Sequence, residues 1–522
     1  MLLISPPAAR ITEAYPALAR LGGALKAHNI PYRILDGNLE GLMHLINSET
    51  SDKDTWTKRA VKGKEHSLAI LTSTKGYSNF DTYKSHIKRL NRLLEKSDLN
   101  KGHEITLANF STPLWSPLSS MDLKYSGDYF EDNPFYSWFS NRIPRVIEEM
   151  ESNGNKIKFI GFSVTFLSQA LTAFAMAGFI RKIRPDIKIV WGGGLITSWE
   201  KSPGINNLFN AEDIVIYGPG EIPLLKLFEI DSKSNFMMPD YEFAIKNRYL
   251  SPGFILAYNT SVGCPWKKCT FCPEKYEDNP YISEKHTKVT EELKILVEKY
   301  NPVLIHLTDS EISPAMLKAL AADPPGTQWY GFCRFTKLLT DEKFCQQLAN
   351  SGCRMLSMGL ESGDKEVLKA MKKGIKLEDV PVILENLKNV GIGTYIYVLF
   401  GTPAEDRDAA LKTRDFVVKY AHLIDFINAA VFNLPVNSEE AQNLNTDNFY
   451  EGDLSLYTGF KHPKGWGRKE IRQFLKKDFS SVPEIREVLN RVPPVFDSSH
   501  APFFLWKRKT EDEDRRRENG RY

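Results

Sequence analysis

The feature that most restricts the fold is an alternation of short apolar runs with longer amphipathic ones, and it occurs twice. In the first series, residues 1–5, 32–36, 67–72, 104–110, 158–163, 187–191 and 213–217 predict strands. Helices are predicted between them at 15–29, 80–97, 143–152 and 168–183. This pattern predicts an α/β, doubly wound, Rossmann-like domain with a parallel sheet. The second series places strands at 254–260, 303–308, 328–333, 354–359, 393–400 and 425–432. Its helices lie near 287–300, 314–322, 341–351, 365–372, 377–390 and 407–420. Six β/α units in about 180 residues fit a partial (β/α)6 barrel better than a flat sheet. Both architectures bind ligands beyond the C-terminal ends of their strands.

This gives four expected segments: a first domain over 1–235, a linker over 236–250, a barrel over 251–440, and an α-rich cap with a tail over 441–522. The cap region carries Tyr450, Tyr457, Phe460, Trp466, Phe503, Phe504 and Trp506, and can either shape a barrel mouth or simply cover it. The mixed-charge tail from 507 is expected to be disordered. Residues 112–140 are aromatic and irregular, and no element is predicted there.

Composition matters mainly for what it excludes. With 68 basic and 65 acidic residues the formal charge is +3, too small and dispersed to point to a nucleic-acid partner. No run approaches the roughly 18–20 apolar residues of a membrane span, and the N-terminus has only four apolar residues in a row. The expectation is a cytoplasmic protein without a signal peptide or membrane span.

Six cysteines in 522 residues are not a disulfide scaffold. Cys333, Cys345 and Cys353 are scattered through helical or strand-like sequence and read as small buried hydrophobes. Cys264, Cys269 and Cys272 instead crowd one loop after the first barrel strand. Three thiolates can hold three irons of a cubane and leave the fourth open. A structural zinc needs a fourth ligand, and neither His286 nor a distant cysteine gives a standard spacing. Buried free thiols are the third reading.

A three-cysteine loop in this position resembles the radical S-adenosylmethionine (radical SAM) superfamily. The later segment Gly359-Leu360-Glu361-Ser362-Gly363, continuing to Gly374, is similar to that family's fourth-strand segment. Phe400-Gly401-Thr402-Pro403-Ala404-Glu405 is similar to its fifth-strand turn. One departure is the spacing: four residues separate Cys264 from Cys269, where the family usually has three. The resemblance implies a [4Fe–4S] cluster on Cys264, Cys269 and Cys272, chelated at its open iron by S-adenosylmethionine. It also implies that Arg334 meets the cofactor's carboxylate, Glu361 its ribose or amino group, and Asp309 or Glu311 its amino group. Phe271 stands where the family has an aromatic near the adenine, with ordinary packing as the competing reading. Gly401, Thr402 and Pro403 complete the expected contacts.

The first domain resembles the cobalamin-binding domain that precedes many radical SAM cores. The matching pieces are Leu3-Ile4-Ser5-Pro6-Pro7, residues 15–23, Ile160-Gly161-Phe162-Ser163-Val164-Thr165, Gly192-Gly193-Gly194 and Gly218-Pro219-Gly220-Glu221. Glycines let a backbone approach a flat macrocycle, and small hydroxyls can bond a nucleotide tail. Ser5, Ser163, Thr165, Gly192, Gly193, Gly194, Gly218 and Glu221 are therefore the expected cobalamin contacts. The Asp-x-His-x-x-Gly motif that ligates cobalt in another enzyme class is absent. A nicotinamide site is disfavoured, because the triple glycine does not match Gly-x-Gly-x-x-Gly and no helix plainly begins there. Relative to the family, 40–66 and 112–140 read as insertions.

The resemblance implies a cobalamin-dependent radical SAM C-methyltransferase: S-adenosylmethionine is cleaved to a 5′-deoxyadenosyl radical, which activates a substrate carbon for the methyl group of methylcobalamin. The alternatives are a cyclase or rearrangement enzyme using the same cofactors, and a non-catalytic iron–sulfur binding or sensing protein. Expected partners are a small-molecule, lipid or peptide substrate and an external electron donor of flavodoxin or ferredoxin type.

Overall fold

The structure, a computed structural model, describes residues 1–50, 54–97, 99–152, 154, 156–234, 236–447 and 452–505. Tyr450, Trp506 and the tail from 507 lie outside the described residues. The chain forms two compact units: Met1–Gly76 with Asp81–Pro252 and Tyr450–Leu456, and Tyr77–Phe80 with Gly253–Phe449 and Tyr457–Tyr522.

The first unit is built on five parallel strands, β1 (Leu2–Ser5), β2 (Arg33–Asp36), β3 (Phe159–Ser163), β4 (Lys188–Gly192) and β5 (Ile214–Val215), in the order β2-β1-β3-β4-β5. Every side chain of β1 is buried, as in a sheet covered on both faces. The order reverses at β1, so the switch point of the sheet lies between β1 and β3.

Several expectations for this unit are corrected. Of residues 67–72, expected as a strand, 67–71 belong to the helix Lys64–Leu71 and Thr72 caps it; the buried Ser67, Leu68 and Leu71 recur at helical spacing. Residues 104–110 form a small hairpin, Glu104–Ile105 against Phe110–Ser111, closed by Thr106 N–H donating to Asn109 O. The irregular aromatic stretch folds as two helices, Ser120–Asp128 and Tyr136–Ser152. Phe130, Tyr136 and Phe139 pack edge-on or tilted against Phe179 of the buried helix Leu167–Ile183, and this aromatic packing hides a simple period. A helix does start at the triple glycine, Gly194–Ser198. The stretch expected as a linker is ordered within this unit: Tyr241 and Tyr249 are buried, and the Tyr249 hydroxyl donates to Asp36.

The second unit holds β6 (Ile255–Tyr258), β7 (Leu304–Leu307), β8 (Trp329–Cys333), β9 (Cys353–Glu361), β10 (Gly393–Phe400) and β11 (Phe426–Val431). Each strand pairs in parallel with its successor in sequence. Right-handed crossovers that always step the same way put the helices on one face, and the sheet curls into an open barrel. The C-terminal part is mixed rather than purely helical. A three-stranded antiparallel sheet joins Leu434–Pro435, Tyr457–Phe460 and Thr446–Asp447, and the helices Arg468–Phe474, Pro483–Leu489 and Asp497–Phe504 follow. Among the described residues, no helix is long and apolar enough to cross a membrane.

Candidate functional site

The cysteine loop is built by groups on three later strand ends. Just beyond β7, the buried Asp309 accepts from Thr260 N–H at 3.0 Å and from the hydroxyls of Thr260 and Ser261, each at 2.7 Å. Burial raises the pKa of Asp309, and these hydrogen bonds oppose the rise. Its oxygens are occupied in shaping the loop's entrance. Farther on, Thr270 N–H donates to Met371 O at 3.0 Å and the Trp266 indole donates to Lys372 O at 3.0 Å. Gly374 sits at φ +69° under that indole, where a Cβ would come within 2.1 Å of the ring. The loop is thus latched to the tail of the β9 segment. Sequence reasoning missed Trp266, which stood unremarked beside Cys264.

Cys269 is buried, and Cys264 and Cys272 are half-buried. Burial pushes all three thiols up, Cys272 to about 12. Two forces oppose this: the backbone N–H groups of Trp266 and Lys267 at Cys264, and the cations of Lys373 and Arg334 at Cys269. Three thiols in such surroundings become thiolates only when further positive charge arrives, as it does with iron. Among the described residues, no three His, Cys, Asp or Glu side chains converge where one ion could sit. A tetrahedral zinc needs that convergence, whereas a cubane gives each thiolate its own iron. The donor set fits the cluster.

A charged network adjoins the thiols. Arg334, just past β8, places Nη1 4.0 Å from Cys269 Sγ and Nε 3.7 Å from Glu311 Oε1. Glu311 Oε2 is itself 3.7 Å from Cys264 Sγ. The Arg334 guanidinium lies over the Trp266 ring at 4.2 Å and donates to Lys373 O. Lys373 is buried, pairs with Glu361 at 2.8 Å and stands 5.6 Å from the centre of the Phe271 ring. Glu361 closes β9 at φ +63°, after a shift of register between Gly359 and Glu361. A Cβ on Gly359 would come within 2.1 Å of the Glu361 carboxylate and 2.6 Å of the Lys373 ammonium, so the glycine makes room for the pair. Phe271, partly buried like Leu399, packs against Val367, Met371 and Ala409. Arg334, Glu311, Glu361, Phe271 and the cysteines are therefore brought together, and Lys373 joins them without having been singled out in the sequence.

The turn after β10 stands on a buried carboxylate. Glu405 accepts from Gly401 N–H at 2.5 Å and from the Trp466 indole at 3.1 Å, and burial raises its pKa to about 7. His462 Nδ1 receives the N–H groups of Lys464 and Trp466, so Nε2 carries the proton and donates to Thr402 O at 2.9 Å. Gly401, Thr402 and Pro403 are thereby held from below by the C-terminal segment.

In the first unit β1, β3 and β4 end in the uncharged residues Ser5, Ser163 and Gly192. Gln169 fills the switch point: its carbonyl accepts from Thr165 and Phe166 N–H, and its amide donates to Pro6 O at 2.7 Å and lies 3.5 Å from Ser5 Oγ. Ser5 and Ser163 are buried. Gly193 has φ +104°, and a Cβ there would lie 2.4 Å from Val164 O, so no other residue fits without moving β3's exit. Thr197 bridges the glycine loops, accepting from Gly218 N–H at 2.9 Å and donating to Gly193 O at 3.1 Å. Gly192, Gly193, Gly194 and Gly218 are joined this way. Glu221 is committed elsewhere, to Arg20 at 2.5 Å. Gln169 and Thr197 gave no signal in the sequence beyond their places in helices.

Residues 258–417 match the Radical SAM superfamily. Among curated proteins, the chain is 21% identical over 335 residues to an uncharacterized methyltransferase of Pyrococcus horikoshii, covering 56% of this chain and 68% of that one. It is 26% identical over 242 residues to the tRNA-2-methylthio-N(6)-dimethylallyladenosine synthase of Campylobacter jejuni, covering 42% of this chain and 53% of that protein. The chain thus spans about two thirds of the first relative and half of the second. Among solved structures, the radical S-adenosylmethionine methyltransferase TsrM of Kitasatospora setae shares 16% identity, with a TM-score of 0.49 over 85% of this chain and 74% of that one. Residues 258–417, which include the three-cysteine loop at the end of their first strand, thus match the Radical SAM superfamily as a domain within this longer chain.

Proposed function

We propose that this radical SAM enzyme is a cobalamin-dependent C-methyltransferase, with residues 251–440 as the radical core, 1–235 as the cobalamin domain and 441–522 as a cap. The observation that carries the core assignment is the meeting of three buried or half-buried thiols with Arg334, Lys373, Glu361 and Glu311 at the ends of consecutive strands. Cys264, Cys269 and Cys272 hold the cluster. Arg334 takes the carboxylate of S-adenosylmethionine, with Lys373 as a second cation. Glu361 takes the ribose or the amino group, and Glu311 replaces Asp309 as the nearer acidic partner. Asp309 and Phe271 act on the loop, the first by hydrogen bonds and the second by packing. Gly401, Thr402 and Pro403 offer backbone groups, held in place by Glu405 and His462.

In the first domain, Ser5, Ser163, Thr165, the three glycines at 192–194 and Gly218 form the cobalamin cradle, with Glu221 bracing it through Arg20. The loops at the strand ends, 6–15, 164–166 and 216–220, contain no histidine, so the cradle offers cobalt no imidazole. When bound, the cofactors supply reductive cleavage of S-adenosylmethionine and a transferable methyl group, while the protein binds, orients and excludes water. All six cysteines are free, which suits the reducing cytoplasm. Incubation of reduced, cobalamin-loaded protein with candidate substrates tests the reading. The expected product is heavier by one methylene per turnover. A product rearranged without that gain assigns the cyclase chemistry, and cleavage-incompetent protein defeats both.

A further inference from the structure

The cysteine loop and the segment latched to it are locally basic. Residues 261–272 and 367–377, which the Trp266–Lys372 and Thr270–Met371 hydrogen bonds join, hold six lysines and no aspartate or glutamate. The whole chain, by contrast, is nearly balanced at +3. Lys267 pairs with Asp278 at 3.2 Å and Lys373 with Glu361 at 2.8 Å. Lys268, Lys369, Lys372 and Lys376 are exposed and, among the described residues, make no ion pair. Carboxylates do border the patch: Glu366 is exposed, Glu378 pairs with Lys365, Glu439 pairs with Lys275, and the half-buried Glu440 feels the charge of Lys372. None of them lies within the two joined segments.

We infer that these four lysines dock a small acidic one-electron carrier protein beside Trp266, on the loop that carries the thiols. The inference rests on the radical SAM reading of the site. Lys268 lies 4.8 Å from the centre of the Trp266 ring, Arg334 stacks on the same ring, and Arg334 reaches within 4.0 Å of Cys269. Cations therefore pack on the Trp266 ring, in the loop whose thiols hold the group that must be reduced. Oppositely charged surfaces speed encounter and fix orientation more than they add affinity, which is what a transient donor requires. One electron leaves the donor, which is oxidised by one equivalent, and reduces the cluster by one. A nucleic acid is also an anion, but a backbone-reading site needs a longer basic stripe and a clearer net charge than +3.

The test follows 5′-deoxyadenosine formation by the holoenzyme with two reductants, a reduced flavodoxin and the methyl viologen radical cation. The variant K268E/K369E/K372E/K376E is compared with a version carrying arginine at the same four positions. The reversal is expected to slow flavodoxin-driven cleavage by about tenfold or more, to leave viologen-driven cleavage within about twofold, and to be rescued by arginine. In the unaltered enzyme, raising salt from about 0.05 to 0.5 M should slow the flavodoxin reaction alone, which keeps the test independent of how the variant folds. Equal slowing with both reductants, or an unchanged flavodoxin rate, overturns the proposal. So does salt-sensitive binding of a tRNA transcript that the reversal abolishes while flavodoxin still works. If the unaltered enzyme fails even with viologen, the radical SAM reading falls first and this proposal with it, since no protein donor is involved.

Discussion

The two parallel sheets use their C-terminal edges in opposite ways. In the barrel, the ends of β7 to β9 gather Asp309, Glu311, Arg334 and Glu361, with Lys373 against them, all buried or half-buried around a thiol loop, and the turn after β10 stands on the buried Glu405. In the first unit the edge of β1, β3 and β4 offers hydroxyls, glycine backbone and the Gln169 amide, and its ion pair, Arg20–Glu221, is turned to bracing. Buried charges are kept only where they are paired or serve a charged ligand. A charged edge therefore suits a metal cluster with a zwitterionic cofactor, and a neutral, glycine-lined one suits a broad flat ring. The same backbone geometry has been given two chemistries by its side chains.

The sharpest way to break this comparison is to empty one edge and watch the other. Cys264→Ala, Cys269→Ala or Cys272→Ala should each abolish the about four irons of a cubane, while Cys333→Ala, buried in β8, keeps them and cobalamin uptake is unaffected throughout. Iron and corrin absorbance measured on the same samples decide this, and a native stoichiometric zinc would contradict the assignment. The converse variant is Gly193→Leu, whose side chain must displace Val164. Cobalamin uptake should be lost with iron retained, and the cob(II)alamin spectrum of the unaltered protein should lack nitrogen splitting from an axial imidazole.

Smaller effects come from single charges. Arg334→Ala should slow S-adenosylmethionine cleavage roughly 10- to 150-fold, the equivalent of about 1.5–3 kcal/mol for one charge-assisted hydrogen bond, with the cluster spectrum intact. Lys373→Met leaves Glu361 buried without its partner and should lower thermal stability. Adding Glu361→Gln should restore the stability without restoring cleavage, which separates a binding role from a structural one. The smallest effect concerns Glu405. Burial raises its folded pKa from 4.5 to about 7, so the native state holds a proton that the unfolded chain releases. That contribution is fully present below about pH 4.5 and is lost as pH rises through 7. Between pH 5 and 7 the protein should lose about 2 kcal/mol relative to Glu405→Gln, and parallel denaturation curves would refute the shift.

The barrel strands were legible because each is a short apolar run bounded by turn residues, a pattern that burial on both faces imposes. In the first unit the same rule misread 67–72, since six apolar-rich residues fit one face of a helix as well as a strand. The helices within 112–140 stayed hidden because aromatic packing against Phe179 replaced the usual spacing. At the site, the cysteines and Arg334 declared themselves by type and position. Lys373 did not: in the run Met371-Lys372-Lys373 it looks like a solvated face, and only the space left at Gly359 turns it inward. Gln169 was similarly invisible, a polar residue in an apolar helix whose partners lie on two other strand ends.

The latch on the cysteine loop also sets a timetable. The Trp266 indole finds its acceptor at Lys372, 106 residues later in the chain. A chain made from its N-terminus must therefore present the three thiols well before the segment that shapes their loop exists. Closing so distant a contact depends on most of the barrel having already formed. On the proposed reading, iron would be acquired late, by a nearly finished protein, and until then the cysteines would be open to oxidation up the sulfenic and sulfinic ladder. Fast synthesis in air would accumulate folded chains that can no longer be loaded, and slow anaerobic synthesis would spare them.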